Sequence, residues 1–384
     1  MTTEPRSVVL FAHPSSDLYG SDRALLESLH ALRSDGWRLI VALPSRGPLV
    51  PYVESLGAEV RIVSVPVLRK ALLSPRGVAV LLVRSLLTLG RLIRLLQAAR
   101  PSLVYVNTTV VPLWIIAAFL ARRPTLCHVH EAEERAPFLL RLGLMAPLLL
   151  CRTVVVNSRA TLTVVVRTLP RLRGRIDLIY NGVPGPGTPP EPLEQPMQRV
   201  RLVVVGRLAP RKGIDVAVAA ADLLTRRGRN VELHLVGSIF PGYEWYEEQL
   251  RAAAAAPTLK GRVHLQGFRA DVWSAYAMAH VVLVPSRAEP FGNVAVEAML
   301  AGRPVVAARV QGLSEIVTDG RNGLLVSPED PVELADAVAS LVDNWQRASA
   351  LALAGQESAR RRFGTARYAA EISSVAAAAA VGRL

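Results

Sequence analysis

The chain has 384 residues, 51% of them hydrophobic, and a formal net charge of +14. That length and apolar content favour two globular domains with full cores. Two cysteines, Cys127 and Cys151, exclude a disulfide framework and point to a reducing compartment, and without HExxH or CxxC spacing no metal is expected.

The charge is unevenly shared. Residues 1–180 carry +12 and the remainder +2. Nearly every cation is arginine, the only lysines being Lys70, Lys212 and Lys260. Aromatic residues make up only 5%, and the arginines interrupt apolar runs with no stacking residues among them, so a nucleic-acid partner is not expected. The first apolar run, residues 8–12, is too short for a signal peptide and precedes a polar loop.

In chain order, residues 7–12 read as a strand and 13–21 as a loop. A helix is expected from about Asp22 to Ser34, with Leu25, Leu26, Leu29 and Leu32 at helical spacing. Gly36 closes it, and residues 38–43 and 59–65 are the next strands. This is a βαβ opening with Gly20-Ser21-Asp22 at the strand-to-helix turn, where doubly wound sheets bind ligands. Residues 67–100 are basic and apolar together: Arg69, Lys70, Arg76, Arg84, Arg91, Arg94 and Arg100 punctuate Leu and Val runs, and no acid occurs between Glu59 and Glu131. Those arginines forbid a transmembrane helix and leave two readings, an amphipathic helix on a membrane surface or a core helix with an Arg-lined solvent face. Strands follow at 103–107, 125–130, 153–157 and 177–180, with apolar helices near 110–121 and 136–150. The Pro-rich stretch 184–196 is the clearest domain boundary.

The second half repeats this grammar. A strand at 201–205 leads into a loop through Pro210-Arg211-Lys212-Gly213, then a helix at 214–224. Strands follow at 231–236, 263–267, 281–284 and 304–308, with a turn at Asn322-Gly323, a helix beginning within 327–331 and a final helix from about Thr365. The order predicts two consecutive doubly wound α/β units.

The densest stretch is 285–303, PSRAEPFGNVAVEAMLAGR. It reads as a polar loop after a buried strand, then a helix from Asn293 that stops at Gly302 and Pro304. Phe291-Gly292-Asn293-Val294 therefore lies at a helix N-terminus, a natural phosphate seat. Glu289 falls on the loop, and Glu297 lies one turn inside the helix among apolar neighbours. A helix glutamate is ordinarily solvated, but a lone carboxylate on a buried helix needs a partner, here expected to be a hydroxylated ligand.

The segments GRLAPRKG, EPFGNVAVEAMLAGRPVVAA, GLSEIV and NGLLV, with YNGV before the linker, resemble the retaining family-4 glycosyltransferases of GT-B fold. The first half is similar more loosely, through the GSDR turn at Gly20 and HVHE at residues 128–131. The resemblance implies two facing Rossmann-like domains: 1–183 for the acceptor and 199–363 for a nucleotide-sugar donor. Residues 184–198 would link them, and 364–384 would cross back to the first as a helix. It implies cytoplasmic, metal-independent transfer of a sugar to an envelope polysaccharide or lipid-linked acceptor, with no cofactor beyond the nucleotide sugar. A nucleotide-sugar epimerase on the same fold is the alternative, separated by product analysis with donor alone.

On this sequence, the resemblance places Glu297 on the ribose and Glu289 on the donor sugar. The segment Phe291, Gly292, Asn293 and Val294 would take the diphosphate, and Arg207 and Lys212 would neutralise it as it leaves. Gly267 and Phe268 would lie by the base, His130 near the reacting carbon, and Gly20 close to the diphosphate. Gln311-Gly312 departs from a usual paired glycine, and the GSDR turn replaces a more glycine-rich one.

Overall fold

The computed structural model describes residues 7–67, 75–132, 134, 136–188, 195, 198–240 and 242–381. They fall into two compact units, 1–182 with 365–384, and 183–364. Most of the Pro-rich stretch, and Arg69 and Lys70, lie outside the described residues.

Unit 1 opens with β1 (Val8–Ala12), α1 (Gly20–Ser34), β2 (Arg38–Leu43), α2 (Val50–Ser55) and β3 (Glu59–Ile62). It continues with α3 (Pro75–Ala99), β4 (Leu103–Val106), α4 (Pro112–Leu120), β5 (Thr125–Val129), α5 (Phe138–Met145), β6 (Thr153–Val156), α6 (Arg159–Thr168) and β7 (Ile176–Leu178). Every strand pair is parallel, in the order β3-β2-β1-β4-β5-β6-β7. The strand sequences are nearly unbroken Val and Leu because both faces are covered. Leu10 and Ala12 pack with Leu92 and Trp114 on one side, while Val9 and Phe11 pack with Leu25 and Leu29 on the other.

Several boundaries differ from the sequence expectation. Helix α1 begins at Gly20, two residues early, because the Asp22 carboxylate accepts the Tyr19 backbone N–H and completes the first turn. The strand expected over 59–65 ends at Ile62, and the last strand of the unit spans 176–178 rather than 177–180. The helix expected over 136–150 is α5 followed by a 3-10 turn (Ala146–Leu150), since Pro147 lacks the N–H an α-helix would need.

Unit 2 comprises β8 (Val200–Val205), α7 (Ile214–Arg226), β9 (Val231–Val236), α8 (Glu244–Ala254), β10 (Val263–Leu265), α9 (Trp273–Met278) and β11 (Val281–Val284). It ends with α10 (Asn293–Leu300), β12 (Val305–Ala308), α11 (Leu313–Ile316), β13 (Leu324–Val326), α12 (Pro331–Asp343) and α13 (Trp345–Phe363). Its sheet is also parallel, ordered β10-β9-β8-β11-β12-β13. Strand order reverses beside β1 in unit 1 and beside β8 in unit 2, which opens a crevice at the carboxyl ends of those strands.

The final helix, α14 (Thr365–Val381), belongs to unit 1. Ile372, Ala376 and Ala379 enter its core, and the Tyr368 hydroxyl lies 2.6 Å from Ser28 Oγ on α1.

Candidate functional site

In unit 2 the polar groups gather where strands end. The loop after β8 carries Arg207 and Lys212, and the loop after β11 carries Ser286, Arg287 and Glu289. The Lys212 ammonium donates to Glu289 Oε2 in a nearly buried ion pair. Ser286 Oγ donates to the same oxygen at 3.3 Å, and Arg211 Nη1 stands 3.8 Å from Oε1. Burial by itself raises the Glu289 carboxyl, but Lys212 and Arg211 outweigh it and hold the group below its usual range. Burial also lowers Lys212; Glu289 opposes this, and Arg211 and Arg207 add to it. Arg207 stacks over Phe240, its guanidinium carbon 5.1 Å from the ring centre.

A third arginine fixes these loops. Arg287 donates to the Pro210 carbonyl at 2.6 Å, to both Asp215 oxygens at 2.8 and 2.6 Å, and to Glu329 at 2.6 Å. The Arg287 backbone N–H also donates to the Arg211 carbonyl at 2.8 Å. The loop bearing Lys212 is thus clamped to the loop bearing Glu289. Neither Arg287 nor Asp215 stood out in the sequence, although Arg287 sits inside its densest motif.

Helix α10 starts where expected. Gly292 precedes it at φ +123° and, as the N-cap residue, supplies no side-chain cap to the first turn, which follows the loop bearing Glu289. Gly292 cannot be exchanged freely, since a Cβ there would press on Leu313 at 2.6 Å. Phe291 is buried, while Asn293 and Val294 are half-buried.

Glu297 is buried as expected, but it is not a lone carboxylate. The Tyr276 hydroxyl on α9 donates to its Oε2 at 2.8 Å. The partner comes from another helix, so the spacing within α10 could not reveal it. Gly267 and Phe268 lie on the loop after β10, with the Gly267 carbonyl accepting the Gly237 N–H at 2.8 Å. Phe268 is exposed. Gln311, standing where a glycine was expected, adopts φ +35°, a left-handed conformation that usually selects glycine.

In unit 1 four consecutive strand ends each present a polar side chain: His13 after β1, Asn107 after β4, His130 after β5 and Asn157 after β6. They form one hydrogen-bonded chain. Asp22 Oδ1 lies 2.6 Å from His13 Nε2, and His13 Nδ1 lies 3.0 Å from Asn107 Nδ2. Asn107 Oδ1 lies 2.8 Å from His130 Nε2, and His130 Nδ1 lies 3.4 Å from Asn157 Nδ2.

With the two amides oriented as they are, each imidazole donates from Nε2, His13 to Asp22 and His130 to Asn107, and accepts an amide N–H at Nδ1. Burial, then the nearby His13, pushes His130 down to about 3 against the pull of Asp22, so it is uncharged at neutral pH. His128 is fully buried with Nδ1 2.8 Å from the Tyr105 hydroxyl, a packing position. Gly20 opens α1, and the neighbouring Ser21 carbonyl accepts from Asn107 Nδ2 at 3.2 Å. The sequence reading selected His130 and Gly20 but missed His13, Asp22, Asn107 and Asn157. The signal available was a polar residue at the carboxyl end of each predicted strand, the last residue of three of them and the one just after the first.

Two family models match the chain, Glycosyltransferase Family 4 over residues 19–184 and Glycosyl transferases group 1 over 199–344. The chain is 40% identical over 167 residues to a D-inositol 3-phosphate glycosyltransferase of Acidothermus cellulolyticus, covering 40% of this chain and 36% of that protein. It is 35% identical over 145 residues to the alpha-D-kanosaminyltransferase of Streptomyces kanamyceticus, covering 37% of this chain and 36% of that protein. The chain thus spans about a third of the length of these curated relatives.

Among solved structures, Anabaena HepE in complex with UDP and glucose superposes with a TM-score of 0.79 at 24% identity, covering 95% of this chain and 98% of that one. A sucrose-phosphate synthase of Thermosynechococcus elongatus gives 0.76 at 22%, covering 96% and 98%. The chain has the GT-B fold, and its first and second halves match the family 4 and group 1 glycosyltransferase models respectively.

Proposed function

We propose that the protein is a retaining, metal-independent glycosyltransferase that binds a nucleotide-diphosphate sugar in unit 2 and its acceptor in unit 1. The observation that carries this is the buried Lys212–Glu289 pair, flanked by Arg207 and Arg211, beside the uncapped amino end of α10. In the reaction the bond from the anomeric carbon to the diphosphate breaks, and the acceptor oxygen bonds to that carbon on the same face. The acceptor proton leaves with the diphosphate. Arg207, Lys212 and the amides of Gly292, Asn293 and Val294 would meet the charge that grows on the diphosphate. Glu289, ionised and held by Lys212, would accept from donor sugar hydroxyls, and Glu297 from the ribose. Phe291 would back the diphosphate segment, and Gly267 and Phe268 would flank the base. In unit 1, the family resemblance assigns neutral His130, oriented from both nitrogens, and Gly20 a positioning role in the transfer.

HepE has been crystallised with UDP-glucose, so a uridine diphosphate sugar is the first donor to try. A thermal-shift panel of nucleoside diphosphates and nucleotide sugars tests the reading, because a ligand of the native state at a hundred times its dissociation constant adds about 2.7 kcal/mol. No stabilisation by any of them would overturn it. Within unit 2, Glu297→Gln is expected to weaken donor binding by roughly 1.5–3 kcal/mol, the range for charged hydrogen bonds. Calorimetric titration of both proteins checks this, and an unchanged affinity in a folded variant contradicts the ribose role.

The acceptor is proposed to be an envelope or lipid-linked glycan, reached from the cytoplasmic face of a membrane. No described helix is long and apolar enough to cross a bilayer. Along α3, however, Arg84, Leu87, Arg91 and Arg94 recur at three- and four-residue spacing and are all exposed, while Leu92 and Leu96 are buried. Leu86 and Leu87 are 72% and 69% exposed, a setting that suits an anionic interface better than water. Each arginine near such a surface contributes about 1 kcal/mol, screened by salt. Co-sedimentation with anionic liposomes at low salt is expected, with loss when Arg84, Arg91 and Arg94 become Ser. Equal binding by the triple variant would leave a soluble phosphorylated acceptor as the better reading.

A further inference from the structure

We propose that Glu232, His234 and His264 form a binding site for a divalent transition-metal ion of the zinc class at the β9–β10 edge of unit 2. Glu232 and His234 lie two apart on β9 and so share one face, and His264 on β10 is the register partner of His234. The two imidazoles stack with centroids 4.8 Å apart. Their Nε2 atoms lie 3.8 and 3.7 Å from the Glu232 carboxylate, and the ligand atoms of the three residues all fall within 4.8 Å of one another. Among the described residues no other group of three or more such side chains is so placed.

The second observation is the state of the imidazoles. Both Nε2 atoms are buried without a hydrogen-bond partner. The His234 side chain is only 10% exposed, and an orphaned imidazole nitrogen there is costly unless something fills the space it faces. Around a tetrahedral zinc with bonds of about 2.0–2.1 Å, ligand atoms stand about 3.3 Å apart, so closure draws in the two Glu232 distances by about half an ångström and the widest separation, within 4.8 Å, by up to about 1.5 Å through side-chain rotation.

A further partner is in place. The Gln266 amide lies 2.9 Å from His234 Nδ1, and its Oε1 has no partner. With the amide turned over, Nδ1–H donates to Oε1, which leaves the Nε2 lone pair free for a metal. The His264 side chain, 39% exposed, provides the entry path and the open fourth position. Arg199 now donates to Glu232 Oε1 and would compete with the ion, but it is half-exposed and can swing away.

Neither histidine is linked to a donor-site residue by any bond described above, so the proposal stands apart from the glycosyl-transfer reading. It is tested by calorimetric titration of zinc into the chelator-stripped full-length protein at pH 7.5, with cobalt absorption as an independent report of tetrahedral coordination. One zinc per chain is expected, with loss of at least a hundredfold in affinity for His264→Gln, whose half-exposed position tolerates the change. Gln266→Ala is expected to weaken binding 10–100-fold, as for other outer-shell partners. Arg199→Ala is expected to tighten it. Absence of binding by the unaltered protein, or undiminished binding by folded His264→Gln, overturns the proposal.

Discussion

Lys212→Ala is expected to lower kcat by a hundredfold or more while changing donor affinity far less. In the proposed reaction charge builds on the diphosphate as the glycosidic bond breaks, so a preorganised cation acts mainly on the transition state. Loss of one such electrostatic donor costs about 2.7–4 kcal/mol in comparable sites. The geometry sharpens the expectation. Lys212 is nearly buried, its ammonium is held against Glu289, and its loop is anchored through Arg287 to Asp215 and Glu329. Water cannot replace a fixed ammonium there without reorganising, whereas Arg207 and the end of α10 remain to bind ground-state diphosphate. Steady-state kinetics with and without magnesium check the claim. Equal losses in affinity and turnover, or activity restored by the metal, would contradict the assigned role.

A large stability effect is expected at Gly213→Ala. Gly213 sits at φ +63° between Lys212 and the first residue of α7, and a Cβ there would overlap the carbonyl oxygen of Pro285 at the end of β11. The left-handed conformation costs an alanine about 1–2 kcal/mol, and displacing a backbone carbonyl adds about 1–3 kcal/mol. Unit 2 should therefore lose about 2–5 kcal/mol, read as a lower urea midpoint at constant slope. Gly228→Ala is the control. Gly228 has φ +79° but open space around its Cβ position, so only the conformational cost applies. Equal losses at the two positions would show that the contact with Pro285 carries no weight. Because the same contact joins the loops bearing Lys212 and Glu289, Gly213→Ala should, under the proposed function, also lower kcat in whatever fraction stays folded.

The α/β alternation and much of the loop between β11 and α10 were legible in the sequence because they depend on local order. Unbroken runs such as 281–284 mark parallel strands covered on both faces, and Asn293 to Leu300 carries its own helix signal and stop. The glycine-led start of α10 and the loop position of Glu289 follow from that strand–loop–helix order. The short helix α2 and helix α6 left weaker signals, and the length of α5 was overestimated because Pro147 breaks it one turn before the apolar run ends.

What only the tertiary structure decided are partnerships between segments far apart in sequence. Parallel strands separated by crossover helices bring equivalent ends together, so His13, Asn107, His130 and Asn157 form one relay although 144 positions separate the first from the last. No spacing rule within a helix or strand can state that, since the register between strands is set by how the whole sheet packs. The same reason hides Tyr276 from Glu297, Arg287 from Asp215 and His234 from His264. In each case the sequence supplied a buried polar group that needed a partner. The fold chose which one it met.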